Sequence, residues 1–300
     1  MPLPDPSATP PLIDPRTAYP RPPFPRQEQR LPGGDAQLDP KPDHGEESYT
    51  GSGRLAGFAS VITGGDSGIG KAVAIAFARE GADVLISYLS ENEDAAATVK
   101  SVKDAGRRAI AVPGDLQDEA HCGRVIEEAR AAFGRIDVLV NNAAFQIRRD
   151  RIEDVPTAEW DQTLRTNLSA MFWLTRAAVP HMRPGASIIN VSSIQATQPS
   201  ASLLAYATTK GAMVTFSKAL SAQLIQRGIR VNVVAPGPVW TPLVIATTDA
   251  EQNAEFGARS PIGRPAQPAE LAPAFVYLAS GDASFVTGAV LPVTGGEFFA

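Results

Sequence analysis

A phenol and a primary amine stand four residues apart in YATTK, Tyr206 to Lys210, inside the apolar run LLAYATTKGAMVTFSKALSAQL. The run has helical periodicity and no strand alternation, so the two side chains share a face and the amine lies against the ring. The pair has two readings. A lysine snorkelling past a half-buried ring is structural and common. A cation beside a phenol is chemical: a phenol with a pKa of about 10 is a poor base but a usable acid for an oxyanion, and a positive charge lowers that value. A second constellation is TGGDSGIG, Thr63 to Gly70, which joins a β-branched run to a helical one. Gly64, Gly68 and Gly70 permit a tight turn and let the backbone approach a pyrophosphate at a helix N-terminus, where free N–H groups and the dipole favour anions. Asp66, Ser67 and Ile69 complete this cofactor-facing turn. Glycine clusters also serve ordinary turns, and the position at the first strand-to-helix junction is what singles this one out.

These residues need a scaffold. From Phe58 onward, short β-branched runs alternate with longer helical ones: ASVIT, GIGKAVAIAFAREG, ADVLISY, ENEDAAATVKSVKDAG, RAIAV. The pattern continues with a helix near Asp118 to Phe133, the strand IDVLV, a long helix from Thr157 to about Met182, ASIINV, the helix carrying Tyr206, and IRVNVV. A helix PAELAPAFVYLAS and a strand AVLPV end it. Alternation of this kind predicts a doubly wound α/β Rossmann fold, and strands apolar throughout predict a mostly parallel seven-stranded sheet with helices on both faces. Gly81, Gly106, Gly134 and Gly228 stand where C-cap glycines belong. Four fragments follow later strands: GDL with Asp115 and Leu116; NNAA with Asn142, Ala143 and Ala144; VSSI; and PGPVWT with Pro236, Gly237, Val239 and Thr241. Each alone reads as turn chemistry. Four on the rim where open α/β sheets bind ligands read as a site.

Thirteen of the 26 prolines fall in the first 42 residues, which hold few large apolar side chains. Residues 1–53 are therefore expected to be a proline-rich arm, and 54–300 a single dinucleotide-binding catalytic domain. The arm has two readings, a free tail or an extended segment anchored on the domain or a neighbouring subunit by Tyr19, Phe24 and Tyr49. PRPPFP within it resembles a polyproline ligand or a rigid spacer, which leaves an interaction protein as one reading of the chain. A net charge of -5 with no long basic run argues against nucleic acid. The lone Cys122 excludes an intramolecular disulfide and a cysteine-based zinc site, and no histidine pair has ligand spacing, so no metal is expected. His44, His121 and His181 are expected at the surface. No leader pattern opens the chain and no apolar run reaches membrane length, so a soluble cytoplasmic protein is expected.

In order, TGGDSGIG, NNAA, Ser193, YATTK, PGPVWT and VTGAVLPVTGG resemble the short-chain dehydrogenase/reductase family, from about Leu55 to the carboxyl terminus. The lead-in PKPDHGEESYTGSG and the helix QPAELAPAFVYLAS resemble a long-tailed bacterial subgroup described as glucose/ribitol-dehydrogenase-like or aldehyde-reducing. The resemblance implies an NADP- or NAD-dependent oxidoreductase that moves a hydride between the nicotinamide and a small carbonyl or alcohol substrate, an aldehyde, ketone or sugar-like compound. It places the catalytic tyrosine on Tyr206, its lysine on Lys210, the serine on Ser193 and the asparagine on Asn167. Ser193 would hold the substrate oxygen, with Ser192 as its competitor for that role. In the family scheme the Asn167 carbonyl holds a water that relays protons to Lys210; the residue lies mid-helix in RTNLSAMFW, where asparagine interrupts the backbone ladder. The resemblance also implies a homotetramer built on the AMFWLTRAAV and GAMVTFSKAL faces. Two residues depart from the pattern: Ala144 where glycine is usual, and Thr294 in VTGG where an aspartate is usual.

The substrate pocket is expected to be lined by Phe145, Gln195, Ala196, Leu203 and Trp240, under a lid from Pro242 to about Ile262. Trp240 reads equally as a core anchor. For the cofactor, the end of the second strand reads ISYLSENE, with Tyr88 where an acid would read the ribose and Leu89 where a base would pair with a 2′-phosphate. With neither present, and Ser87 and Ser90 as neutral donors, both cofactors are expected to work with NADP slightly ahead; Glu91, swung inward, would reverse the order. A non-catalytic dinucleotide sensor of the same fold is the alternative to an enzyme.

Overall fold

The computed structural model describes residues 12–299; the first eleven residues of the arm and Ala300, which ends the expected domain, lie outside them. Seven strands, β1 (Ala59–Thr63), β2 (Asp83–Tyr88), β3 (Ala109–Pro113), β4 (Ile136–Asn141), β5 (Met182–Val191), β6 (Arg230–Pro236) and β7 (Val290–Val293), form one sheet in the order β3-β2-β1-β4-β5-β6-β7. Every pair is parallel, so the expected topology holds without an antiparallel exception. Strands β1, β4 and β6 are buried along their whole length, because helices cover both faces. One layer is α1 (Gly68–Arg79), α2 (Asn92–Asp104) and α9 (Pro268–Ala279), whose Phe77, Val102 and Phe275 pack with β-strand residues such as Ile62 and Ile86. The other is α3 (Glu119–Phe133), α5 (Ala170–Ala178) and α6 (Leu204–Leu224), contributing Ile126, Leu174 and Leu224 against Val61 and Ile188. The strand order reverses between β1 and β4, and that switch point opens a crevice at the carboxyl ends of the strands.

The helix expected from Thr157 is interrupted. It runs as α4 (Thr157–Leu164), a π-helical turn over Arg165–Ser169 and then α5, reaching β5 at Met182. Asn167 sits in the π turn, as its poor helix propensity suggested. Asp118 caps α3 by accepting the Ala120 N–H at 2.9 Å, and Gly134 ends the helix at φ 74°. Among the described residues no helix is long and apolar enough to cross a membrane.

The arm is laid on the domain. Phe24 packs on Trp240 with ring centroids 4.5 Å apart and, with Leu38 and Ile245, makes a small second core. Tyr19 donates to Asp43 at 2.9 Å, and Tyr49 donates to Glu80 at 2.6 Å. Glu80 is fully buried and also accepts the Arg54 guanidinium at 2.7 Å and the backbone N–H groups of Ser52 and Arg54. Burial alone would raise its carboxyl, but Arg54 and Tyr49 outweigh it and hold the pKa at about 2. These anchors explain why a proline-rich segment with little apolar content is ordered: it borrows the domain's core and its buried charge.

Two of the three histidines are not at the surface. His44 and His121 are each only 2% exposed. His44 lies 3.0 Å from Asp35 and 3.4 Å from Glu46; burial pulls its pKa down, and the two carboxylates more than reverse that. The His121 ring packs beneath Gly114, where any Cβ would strike it, and burial lowers its pKa. Neither environment is visible in the sequence: the partners lie within nine residues, but only the folded arm and the turn after β3 set these rings against them.

Candidate active site

A cavity of about 450 Å³ occupies the switch-point crevice. Its floor is the glycine-rich turn. Gly64 has φ +60° and Gly68 φ +49°, and a Cβ on Gly68 would press on Thr241 at 3.0 Å. A Cβ on Gly70 would land on the Gly64 carbonyl and 2.7 Å from Asn142 Nδ2, so only glycine lets α1 start this close to the turn. Asn142 Nδ2 donates to the carbonyls of Thr63 at 2.9 Å and Gly64 at 3.0 Å, and Thr63 Oγ1 accepts the N–H groups of Asn142 and Ala143. NNAA is thereby pinned to the turn. Ser67 makes no side-chain capping bond at the start of α1; the Gly68 N–H there donates to Asp35 Oδ1 at 3.4 Å, and the first-turn N–H groups beyond it are the ones left for an anion.

The catalytic candidates converge on the same cavity. Ser193, Tyr206 and Lys210 line it. The Lys210 ammonium lies 5.2 Å from the Tyr206 ring centroid and donates to the Val191 carbonyl at 2.7 Å. Ser192 donates to the Lys210 carbonyl at 2.8 Å, which ties the strand end to α6. Asn167 is buried and does not line the cavity. Its Oδ1 accepts the Phe145 N–H at 2.7 Å, and its Nδ2 donates to the Phe145 carbonyl at 2.9 Å and to Thr209 Oγ1 at 3.1 Å. Thr209 in turn donates to the Tyr206 carbonyl at 2.7 Å. Asn167 therefore couples the loop after β4 to the helix that carries the tyrosine.

The expected lowering of the phenol by the ammonium is not what this protein shows. Burial pushes Tyr206 up to about 12, against an opposing pull from Ser193, and burial pushes Lys210 down to about 7. The ammonium sits over the ring rather than at the hydroxyl, so desolvation of both groups outweighs their attraction.

A family model described as enoyl-(acyl carrier protein) reductase matches residues 64–297. The oxidoreductase YghA of Escherichia coli is 48% identical over 288 residues, covering 95% of this chain and 98% of that protein. The glucose and ribitol dehydrogenase of Daucus carota is 43% identical over 278 residues, 91% and 96% of the two chains. A short-chain dehydrogenase from Burkholderia cenocepacia, solved in complex with NADP, superposes with a TM-score of 0.77 at 32% identity, covering 81% of this chain and 98% of that one. The chain belongs to the short-chain dehydrogenase/reductase family. It is a nicotinamide-dependent oxidoreductase, and the residues present fit a dinucleotide: a glycine cradle too tight for side chains, a helix start that its own Ser67 side chain leaves uncapped, and a groove running from Tyr88, Leu89, Asp115 and Leu116 to Tyr206.

Most of the residues expected to face the cofactor of this short-chain dehydrogenase line the cavity. Gly64, Asp66, Ser67, Gly68, Ile69, Asn142, Ala143, Ala144, Pro236, Gly237, Val239 and Thr241 all line the cavity. Gly70 and Ser90 do not. Gly70 serves packing, and Ser90 donates its N–H to Glu91 Oε2 at 2.8 Å. Glu91 itself lines the groove, and its buried Oε1, like the buried Ser87 hydroxyl, has no hydrogen-bond partner among the described residues. Ala144 needs no special backbone, since no non-glycine residue described has a positive φ. Thr294, lacking a carboxylate, donates instead to the Glu297 carbonyl at 2.6 Å.

The substrate end requires more correction. Of the five residues expected, only Phe145 lines the cavity. Trp240 is fully buried, its Nε1 donating to the Pro40 carbonyl at 2.8 Å; it is the arm's anchor. Gln195 is turned to the Ser200 N–H at 2.6 Å, Leu203 is buried, and Ala196 lies off the cavity. Gln146, Gln162, Thr166, Leu243 and Val244, none of them expected, line the cavity along with Phe145. Gln162 and Thr166 are four apart before Asn167, a one-face spacing that sequence reasoning had available and did not use. Gln146 donates to Thr247 at 2.8 Å, joining the wall to the lid.

Asp66 carries a pH prediction. It is 6% exposed, and burial, reinforced by Glu91 and Asp35, pushes its carboxyl up to about 7. Below that pH it is neutral beside an anion site, and above it the carboxylate repels a pyrophosphate. Dinucleotide affinity should therefore fall as pH rises through about 7. Titration of Kd across this range in the native protein and in Asp66→Asn checks it: the variant's profile should be flatter, and two profiles with the same slope would overturn the assignment.

Proposed function

We propose that the enzyme reduces aldehydes, ketones or sugar-like carbonyls, using NADP in preference to NAD, with Tyr206 as the proton donor. The observation that carries this reading is the convergence of Ser193, Tyr206 and Lys210 on the cavity floored by the glycine-rich turn. A bound nicotinamide supplies the hydride. Ser193 holds the carbonyl oxygen, and Tyr206, kept protonated by burial, donates the proton. Lys210, anchored on Val191, lies over the Tyr206 ring, where a protonated amine stabilises the phenolate left by the transfer until solvent in the cavity returns the proton. Asn167 acts as a positioning residue through Phe145 and Thr209. A phenol raised to about 12 is in its protonated, donor form at neutral pH.

For the cofactor, the NADP held by the Burkholderia relative and the absence of an acid at Tyr88 favour the 2′-phosphate. The unpartnered Glu91 Oε1 in the groove works the other way, since it suits a ribose hydroxyl. The relative has the greater weight, because a surface-edge glutamate with one oxygen held only by Ser90 can turn away. Measuring kcat/KM for NADPH and NADH with one aldehyde, alongside glucose and ribitol oxidation, tests the reading. An NADH preference beyond about 100-fold, nearly 3 kcal/mol, would assign the ribose to Glu91. Binding of either cofactor with no turnover of any carbonyl or polyol would favour the sensor. We place the enzyme as a homotetramer on the α5 and α6 faces, where Phe172 is 43% exposed; a monomer mass by light scattering would exclude it.

A further inference from the structure

The arm crosses the groove in which the dinucleotide is placed. Leu31 and Pro32 line the same cavity as Gly64, Ser67 and Tyr206. This turn is fastened to both banks. On one bank, Asp35 Oδ1 accepts the Gly68 N–H at 3.4 Å at the start of α1, and the Asp35 N–H donates to Asp94 on α2 at 3.1 Å. Its other carboxylate oxygen lies 3.0 Å from His44 and 3.8 Å from Lys71. On the opposite bank, the Gln27 carbonyl accepts Asn253 Nδ2 at 3.0 Å and Glu28 accepts the Ala250 N–H at 2.9 Å, both on α8 (Ala250–Ala254). Gly33, at φ +81°, sits so close to Pro242 that a Cβ would meet it at 3.1 Å. Gln29 closes the turn by exchanging two hydrogen bonds with Gly34.

We propose that residues 31–35 are part of the dinucleotide site, a strap whose Leu31 touches the bound cofactor near its pyrophosphate and slows its release; this rests on reading the cavity as a nicotinamide-dinucleotide site. A ligand reaching from Glu91 to Tyr206 has to pass the glycine-rich turn, and the strap is fixed over that turn. Leu31 is 37% exposed, so it has apolar surface left for a ligand to cover. The charge at the strap's root is compensated, because Asp35 faces His44 and Lys71, so the strap brings no bare carboxylate to an anionic ligand. Contacts made only with the bound ligand act mainly on the dissociation rate.

Stopped-flow displacement of NADPH from the full-length protein tests this. Leu31→Ala should release NADPH about fivefold to tenfold faster, with association unchanged within about twofold. The control Leu12→Ala, at a fully exposed arm position away from the cavity, should behave as the native protein. Should Leu31→Ala fail to fold, the native protein decides: saturating NADPH should slow tryptic cleavage after the exposed Arg30 and leave cleavage after the exposed Arg26 unchanged. Native release kinetics in folded Leu31→Ala, or cofactor-independent cleavage at Arg30, would overturn the strap while leaving the site intact. A native protein that binds neither NADPH nor NADH would overturn the site itself.

Discussion

Tyr206→Phe should lower carbonyl turnover by about 10³-fold or more, the upper range for loss of a general acid, while NADPH affinity stays within about threefold. The substitution keeps the ring, its packing and the Lys210 ammonium over its face; it removes only the hydroxyl beside Ser193. Binding and chemistry should be separable, because the glycine-rich turn and residues 31–32 line the cavity independently of the Tyr206 hydroxyl. The comparison is kcat/KM with one aldehyde beside Kd for NADPH by fluorescence. Turnover above a tenth of native would remove Tyr206 from the donor role. Loss of affinity with little change in kcat would recast it as a binding residue.

Gly70→Ala should be the most damaging small substitution, costing about 3 kcal/mol or more of stability, beyond usual overpacking. The new methyl group would strike the Gly64 carbonyl, and backbone cannot swing aside as a side-chain end can. Relief would drag Gly64 and Asn142 apart and loosen the turn from NNAA. Gly123→Ala offers the opposite case. It lies inside α3 with nothing within 4 Å of its Cβ position, so the same change should be neutral or stabilise by up to about 1 kcal/mol. Urea unfolding of both variants checks the contrast. Native stability in Gly70→Ala with weakened NADPH binding would show a ligand role instead of the packing role assigned here.

Local chemistry was legible in the chain alone wherever its cause is local. Continuous apolar runs and period-3.6 patterning marked seven strands and their covering helices, because burial on both faces leaves inner strands such as β1, β4 and β6 apolar throughout. Tyr206 and Lys210 were readable as partners since helical geometry fixes residues four apart, and the turn after β1 was readable because its glycines have positions only glycine fills. Asn167 was readable as a break in a helix, though its grip on Phe145 and Thr209 was not. What the tertiary structure decided depends on residues far apart in sequence. Trp240 left the pocket for the core because Phe24, more than two hundred residues earlier, packs on it. His44 makes the same point at short range: Asp35 and Glu46 lie within nine residues of it, yet only the folded arm brings both carboxylates onto its ring. The phenol's acidity followed desolvation rather than the nearby cation, and desolvation is set by everything packed around it. The arm became part of the groove for the same reason: its own composition cannot make a core, but the domain supplies one.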